Sequence, residues 1–107
     1  MVWHTVRISF KAVPDDVRVD VEMRLAELPD VVPAIAWFRI GRDVTDPEVS
    51  LIVSAFETFE DLDSYRTHPN HRPAQDALHG SGAQILGMSD IETGDDPFGP
   101  IAPKQTA

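Results

Sequence analysis

The chain has 107 residues, 42% of them hydrophobic and 25% charged, which fits one globular domain and is too short for two. Eighteen acidic against nine basic residues give a net charge of −9, and the basic ones are scattered singly from Arg7 to Lys104, so nucleic acid and anionic lipid are not expected partners. Cysteine is absent, which removes disulfides and thiolate chemistry, and the longest apolar run, eight residues over 31–38, contains Pro33, so no membrane span or signal peptide is expected and a cytoplasmic location is favoured.

From residue 3 to 10 the chain alternates, with His4, Val6, Ile8 and Phe10 on one side of a strand and Trp3, Thr5, Arg7 and Ser9 on the other. Pro14, Asp15 and Asp16 open a helix whose stripe is Val17, Val21, Leu25 and Leu28. Arg18, Asp20, Glu22, Arg24 and Glu27 then fall on a mostly solvated side, and Pro29 and Pro33 end the helix. Residues 35–40 read as a second strand, stopped by Gly41 and the loop to Pro47, and residues 49–56 as a third, with Ser50 and Ser54 opposite an apolar side of Leu51, Val53 and Ala55. Thr58 and Asp61 match a capping box that opens a short helix through Tyr65. Pro69 interrupts it, and a restart near Asn70 runs to about Leu78 before Gly80 and Gly82. The last strand covers 84–92, with Leu86, Met88 and Asp90 on one side and Ile85, Gly87, Ser89 and Ile91 on the other. The domain is expected to span 1–92, followed by a Pro/Gly-rich tail over 93–107 that stays flexible unless a partner subunit pins it.

This order, β-α-β-β-α-β, is that of an α+β ferredoxin-like sandwich, a four-stranded antiparallel sheet with helices on one face. Trp3, Ile85 and Ile91 would lie on the other face, and two such sheets packed together would make a dimeric α/β barrel, so a homodimer is expected. A domain of this size buries only about two-thirds of its chain's surface, which favours the same partner.

Chemistry concentrates in Tyr65, His68 and His71, at the break between two helical segments. A histidine moves protons near neutral pH and a tyrosine donates to a developing oxyanion, the parts needed for enolisation or aldol chemistry. The same residues also admit a structural role, with Tyr65 packed on the sheet, His68 capping a helix end and His71 in a polar first turn. The i, i+3 spacing of His68 and His71 suits a metal, but the proline between them argues against a shared face and no third ligand is defined, so no metal site is expected. His4 and Asp90 are polar residues on otherwise apolar strand sides, on strands expected not to be neighbours. Asp90 either orients a catalytic histidine or ends its strand in water. His79 reads as a charge favourable to a helix end.

The segments 1–11, 25–33 with its Leu-Pro break, Gly41-Arg42-Asp43, and 56–71 with its Tyr65-x-x-His68-Pro69-x-His71 motif together resemble the stress-responsive A/B barrel (Dabb) family over residues 2–92. The resemblance implies a dimeric α+β barrel. The family includes a plant cyclase that makes olivetolic acid, in which the tyrosine and the second histidine of the motif form the catalytic pair and a C-terminal-strand aspartate orients that histidine. By position these are Tyr65, His71 and Asp90, with His4 and His68 as substrate-binding residues. The implied function is a cofactor-independent cyclase or lyase acting on a polyketide-like or aromatic carbonyl compound. A non-catalytic ligand-binding dimer and a cofactor-free monooxygenase of the antibiotic-biosynthesis type remain the alternatives.

Overall fold

The structure is a computed structural model and describes residues 1–94. Strand β1 (Val2–Ser9) leads to helix α1 (Asp15–Ala26), a one-turn helix α2 (Leu28–Val31), strands β2 (Trp37–Arg42) and β3 (Val49–Phe56), helix α3 (Phe59–Thr67), a 3-10 turn (Pro69–His71), helix α4 (Arg72–Gly80) and strand β4 (Gln84–Glu92). All neighbours in the sheet are antiparallel, in the order β2-β3-β1-β4. This is the α+β ferredoxin-like fold expected from the element order. The expected tail lies outside the described residues except for Thr93 and Gly94. Thr93 is tied beside β1, its N–H donating to the Met1 carbonyl at 2.9 Å and its hydroxyl accepting from Trp3 Nε1 at 3.2 Å.

Local chemistry explains most boundaries. Thr58 accepts the Asp61 N–H at 3.1 Å, capping α3 as the sequence predicts. Pro29 does not end a helix but opens one, because a proline in the first turn of α2 has no intrahelical N–H bond to lose. The core lies between the sheet and the helices, with Ile8, Leu28, Phe56 and Leu62 at most 1% exposed. Burying each such side chain stabilises the fold by about 1.5–3 kcal/mol.

One expectation about strand order and three about side-chain direction are corrected. The expected separation of the terminal strands is wrong, since β1 lies between β3 and β4. Ser50 and Ser54 are fully buried on the helix-covered side with Ile52 and Phe56, because both hydroxyls are satisfied: Ser50 accepts from Arg18 at 3.0 Å and donates to Glu22 at 2.7 Å, and Ser54 donates to the His4 carbonyl at 3.4 Å. Arg18 and Glu22 are not solvated. The Arg18 guanidinium lies 5.0 Å from the Phe10 ring centre and 3.5 Å from Glu22, and Arg42 closes on the same carboxylate at 2.6 Å. Finally, Ile85 faces the helices, since the register shifts from Arg7↔Gly87 to Ile8↔Ile85 and leaves Leu86 as the extra residue of a bulge.

Candidate functional site

Helix α3 buries Leu62 and Tyr65, one turn apart, against the sheet. It stops at Thr67 because His68 precedes Pro69, and a residue before proline is forced extended; here φ is −66° and ψ is 132°. His68 Nδ1 then accepts the Asn70 N–H at 3.1 Å, and the Asn70 side chain donates to the Val31 carbonyl at 2.9 Å, fastening the turn to α2. The chain is thereby folded back so that the ring of His71 stacks on Tyr65, with centroids 4.1 Å apart and planes 25° from parallel. Tyr65 leans in turn on Phe56 at 5.2 Å.

His71 is 8% exposed, and its buried Nδ1 has no hydrogen-bond partner among the described residues. Burial lowers its pKa below 6.5, outweighing the Tyr65 and Arg66 backbone groups that favour the charged ring, and the nearby His4 and His68 act in the same direction as burial. At neutral pH the imidazole is therefore uncharged and able to accept a proton. Burial acts oppositely on the phenol, whose pKa is pushed up to about 12, so Tyr65 keeps its proton and is a donor. One low-dielectric wall thus holds a neutral imidazole and a protonated phenol side by side.

The third residue assigned by resemblance behaves differently. His4 and Asp90 are directly opposed across β1 and β4, and His4 Nδ1 is 2.5 Å from Asp90 Oδ1. The guanidinium of Arg66, from α3, takes Oδ2. Burial would raise the Asp90 pKa, but His4 and Arg66 together hold it below its ordinary value. A carboxylate accepts only, so Nδ1 of His4 is the donor and Nε2 is the nitrogen left for other work. Asp90 thus orients His4, and the assignment of this carboxylate to His71 is corrected: β4 brings it to the strand beside it, whereas His71 sits in the helix layer.

His4, Tyr65, Arg66 and His71 converge on a half-enclosed cavity of about 320 Å³ between the helices and the sheet, and Asp90 is not among its lining residues. Its apolar walls are Val6, Leu25, Ile52, Leu78, Ile85 and Met88. Its polar groups are His4, Tyr65, Arg66, His71, Gln75 and His79. His68 is not among the lining residues; it caps the turn that presents His71. Sequence reasoning missed Arg66, Gln75 and the cavity position of His79. A signal for the last two was present, since residues 71, 75 and 79 recur at intervals of four and place polar groups on one helical face. A second depression, of about 280 Å³, lies on the uncovered side of the sheet among Arg7, Arg39, Arg42 and Leu51, away from the imidazoles. Among the described residues no three His, Asp or Glu side chains are grouped so as to hold a metal ion, and no helix is long and apolar enough to cross a membrane.

Residues 2–93 match the model of the Stress responsive A/B Barrel Domain. The chain belongs to that family. Among solved structures, this barrel-domain chain is similar to a putative antibiotic biosynthesis monooxygenase from Deinococcus radiodurans, with 16% identity, 90% of this chain and 95% of that one covered, and a TM-score of 0.74. It is also similar to SnoaB, a cofactor-independent oxygenase from Streptomyces nogalater, with 12% identity, 92% and 97% coverage and a TM-score of 0.73. A dimeric ferredoxin-like protein of unknown function from Thermobifida fusca aligns at 18% identity, 85% and 88% coverage and a TM-score of 0.64. At these identities the likeness shows the fold. Comparison with curated proteins finds no match.

Proposed function

We propose that this protein is a homodimeric, cofactor-independent enzyme of the cyclase or lyase type, which holds a polyketide-like or aromatic carbonyl compound between helices and sheet and moves protons on it. The observation that carries this reading is the stacked Tyr65 and His71 pair in the cavity wall, with a neutral imidazole beside a protonated phenol. His71 takes a proton from the carbon next to a carbonyl, the Tyr65 hydroxyl donates to the oxygen on which charge develops, and the imidazolium returns the proton to the product. The apolar walls restrict a flexible substrate to the conformer that reacts. Asp90 acts through His4 and is a positioning residue. The dimer buries the uncovered sheet face that carries Trp3, Trp37 and Ile91, as expected of two ferredoxin-like sheets and in keeping with the dimeric Thermobifida fusca relative.

The test is to incubate the full chain with linear poly-β-keto thioesters and aryl ketones, with and without oxygen, and to follow products by mass spectrometry. Cyclised or isomerised product forming equally well without oxygen, and at least about a hundredfold more slowly with His71→Ala, is the expected result. Unchanged turnover in that variant overturns the assignment of His71. The likeness to the Streptomyces nogalater oxygenase favours one second reading, oxygen insertion into an electron-rich ring, and product that appears only with oxygen would select it. Ligand retention without conversion of any compound would point to a non-catalytic binding protein.

A further inference from the structure

We infer that the uncovered face of the sheet is a docking surface for the C-terminal segment of a second copy, whose Asp95 and Asp96 are received by Arg39 and whose Phe98 fills the depression beside it. The inference rests on the homodimer of the reading above and not on its chemistry.

The first ground is an unmet charge. The paired rows of this face, from Trp37 and Ile91 to Gly41 and Gly87, carry Arg39 and Arg7 and no Asp or Glu. Arg7 has Asp43 at 3.9 Å, the outer limit of an ion pair. Arg39 has no carboxylate within that distance among the described residues. Its guanidinium is held in place all the same, 4.8 Å from the Trp37 ring centre and donating to the Phe38 carbonyl at 2.7 Å. Stacking two such faces brings the arginines of both copies between the sheets with no acid from either sheet. Charge removed from water in this way is strongly unfavourable unless an opposite charge meets it.

The second ground is where the nearest spare acids leave the sheet. Asp95 and Asp96 follow Gly94 directly, and Thr93 is fastened at the rim of this face by Trp3 and the Met1 carbonyl. Their own Arg39 is out of reach, since β4 and β2 are opposite edges of the sheet, three strand spacings or about 14 Å apart, and two residues of extended chain span about 7 Å. A second sheet stacked with the two-fold axis along the strands lays β4 of one copy across β2 of the other. The two carboxylates then arrive beside the partner's Arg39. The third ground is shape. Gly41, Leu51, Arg7 and Gly87 form one row across the sheet, and a side chain on either glycine would meet no atom within 4 Å. Where that row passes Gly41 and Leu51 it floors the depression of about 280 Å³, which Arg39 and Val53 also line. Phe98, two residues beyond Asp96, supplies an aromatic ring to fill it.

The experiment is sedimentation equilibrium of full-length chains, alone and mixed in pairs, with circular dichroism confirming that each is folded. Arg39→Glu, and Asp95→Lys combined with Asp96→Lys, should each dimerise at least about tenfold more weakly than wild type, the worth of one charge-assisted hydrogen bond. Mixed together, the two variants should form a heterodimer that recovers most of the loss, because each chain then offers the other an opposite charge. Loss without recovery in the mixture would place the segment on its own chain and overturn the inference, as would reversals that leave dimerisation unchanged. If a reversed chain does not fold, Arg39→Gln and the pair Asp95→Asn, Asp96→Asn take their place. Each should then weaken the dimer, and all three changes together should weaken it no further than either, whereas additive losses overturn the inference. A wild-type chain that stays monomeric at the highest attainable concentration defeats this inference and the homodimer together, and a dimer indifferent to every variant defeats this one alone. Arg39 does not line the cavity of Tyr65 and His71, so turnover tests the enzymatic reading separately.

Discussion

Glu22→Gln is the most informative single perturbation of the fold. Glu22 receives Ser50 at 2.7 Å and Arg42 at 2.6 Å, and it lies 3.5 Å from the Arg18 guanidinium; its own side chain is 15% exposed and that of Arg18 only 7%. Removing one partner of a buried pair costs about 3–5 kcal/mol, most of it the uncompensated charge left behind. The Arg42 contact contributes little, since that side chain is 48% exposed and a solvated pair is worth at most about 1 kcal/mol. Glutamine also keeps an oxygen that can accept from Ser50. The expected loss is therefore about 3 kcal/mol, read by urea unfolding at pH 7 and fixed protein concentration as a lower midpoint with an unchanged slope. A pH dependence follows. Burial would raise the Glu22 pKa, but Arg42, Ser50 and Arg18 together hold it below 4.5. With the folded value depressed, the unfolded chain binds the proton more readily, so the contribution is complete above pH 4.5 and fades as pH falls towards the folded value. The double variant Glu22→Gln with Arg18→Met should recover most of the loss, because it removes the stranded charge. A single variant within about 0.5 kcal/mol of wild type at pH 7, far below the cost of a broken buried pair, would refute the reasoning.

Tyr65→Phe should leave stability within about 1 kcal/mol, because no described residue is hydrogen-bonded to the hydroxyl, while the proposed turnover falls about a hundredfold in a rate assay. His71 has its pKa lowered by burial, so the stability it contributes as a neutral ring is complete above pH 6.5 and is lost as pH falls through that value towards the folded one. Chemical unfolding between pH 7 and 5 should therefore show a steeper decline for wild type than for His71→Gln, and parallel curves would contradict this account. Leu62→Ala, at a position with no exposed surface, should cost about 2–5 kcal/mol, and a thermal-shift profile indistinguishable from wild type would show that α3 does not anchor the core.

The position of most elements was legible because it depends on local physics. Alternation located β3 and β4 at their observed bounds, Thr58 and Asp61 marked the start of α3, and the motif from Tyr65 to His71 picked out the residues that stack in the cavity wall. Where two sequence patterns carry the same information, the chain alone did not decide. Ser50 and Ser54 alternate with Leu51 and Val53 whichever side is buried, and the serines went inside because Arg18, Glu22 and the His4 carbonyl were there to satisfy them. Ile85 changed sides because a bulge is a property of two paired strands.

The chemistry divides in the same way. From residue types and spacing came an acid, a base and a place for both at a break between helices, since a proline in the chain fixes where a helix must turn whatever surrounds it. Only the tertiary structure could say that Asp90 belongs to His4, that Arg66 shares it, and that His71 stacks on Tyr65. The first two facts depend on β4 lying beside β1, strands whose paired residues His4 and Asp90 are 86 positions apart, and a pairing of that kind leaves no trace in the periodicity of either strand.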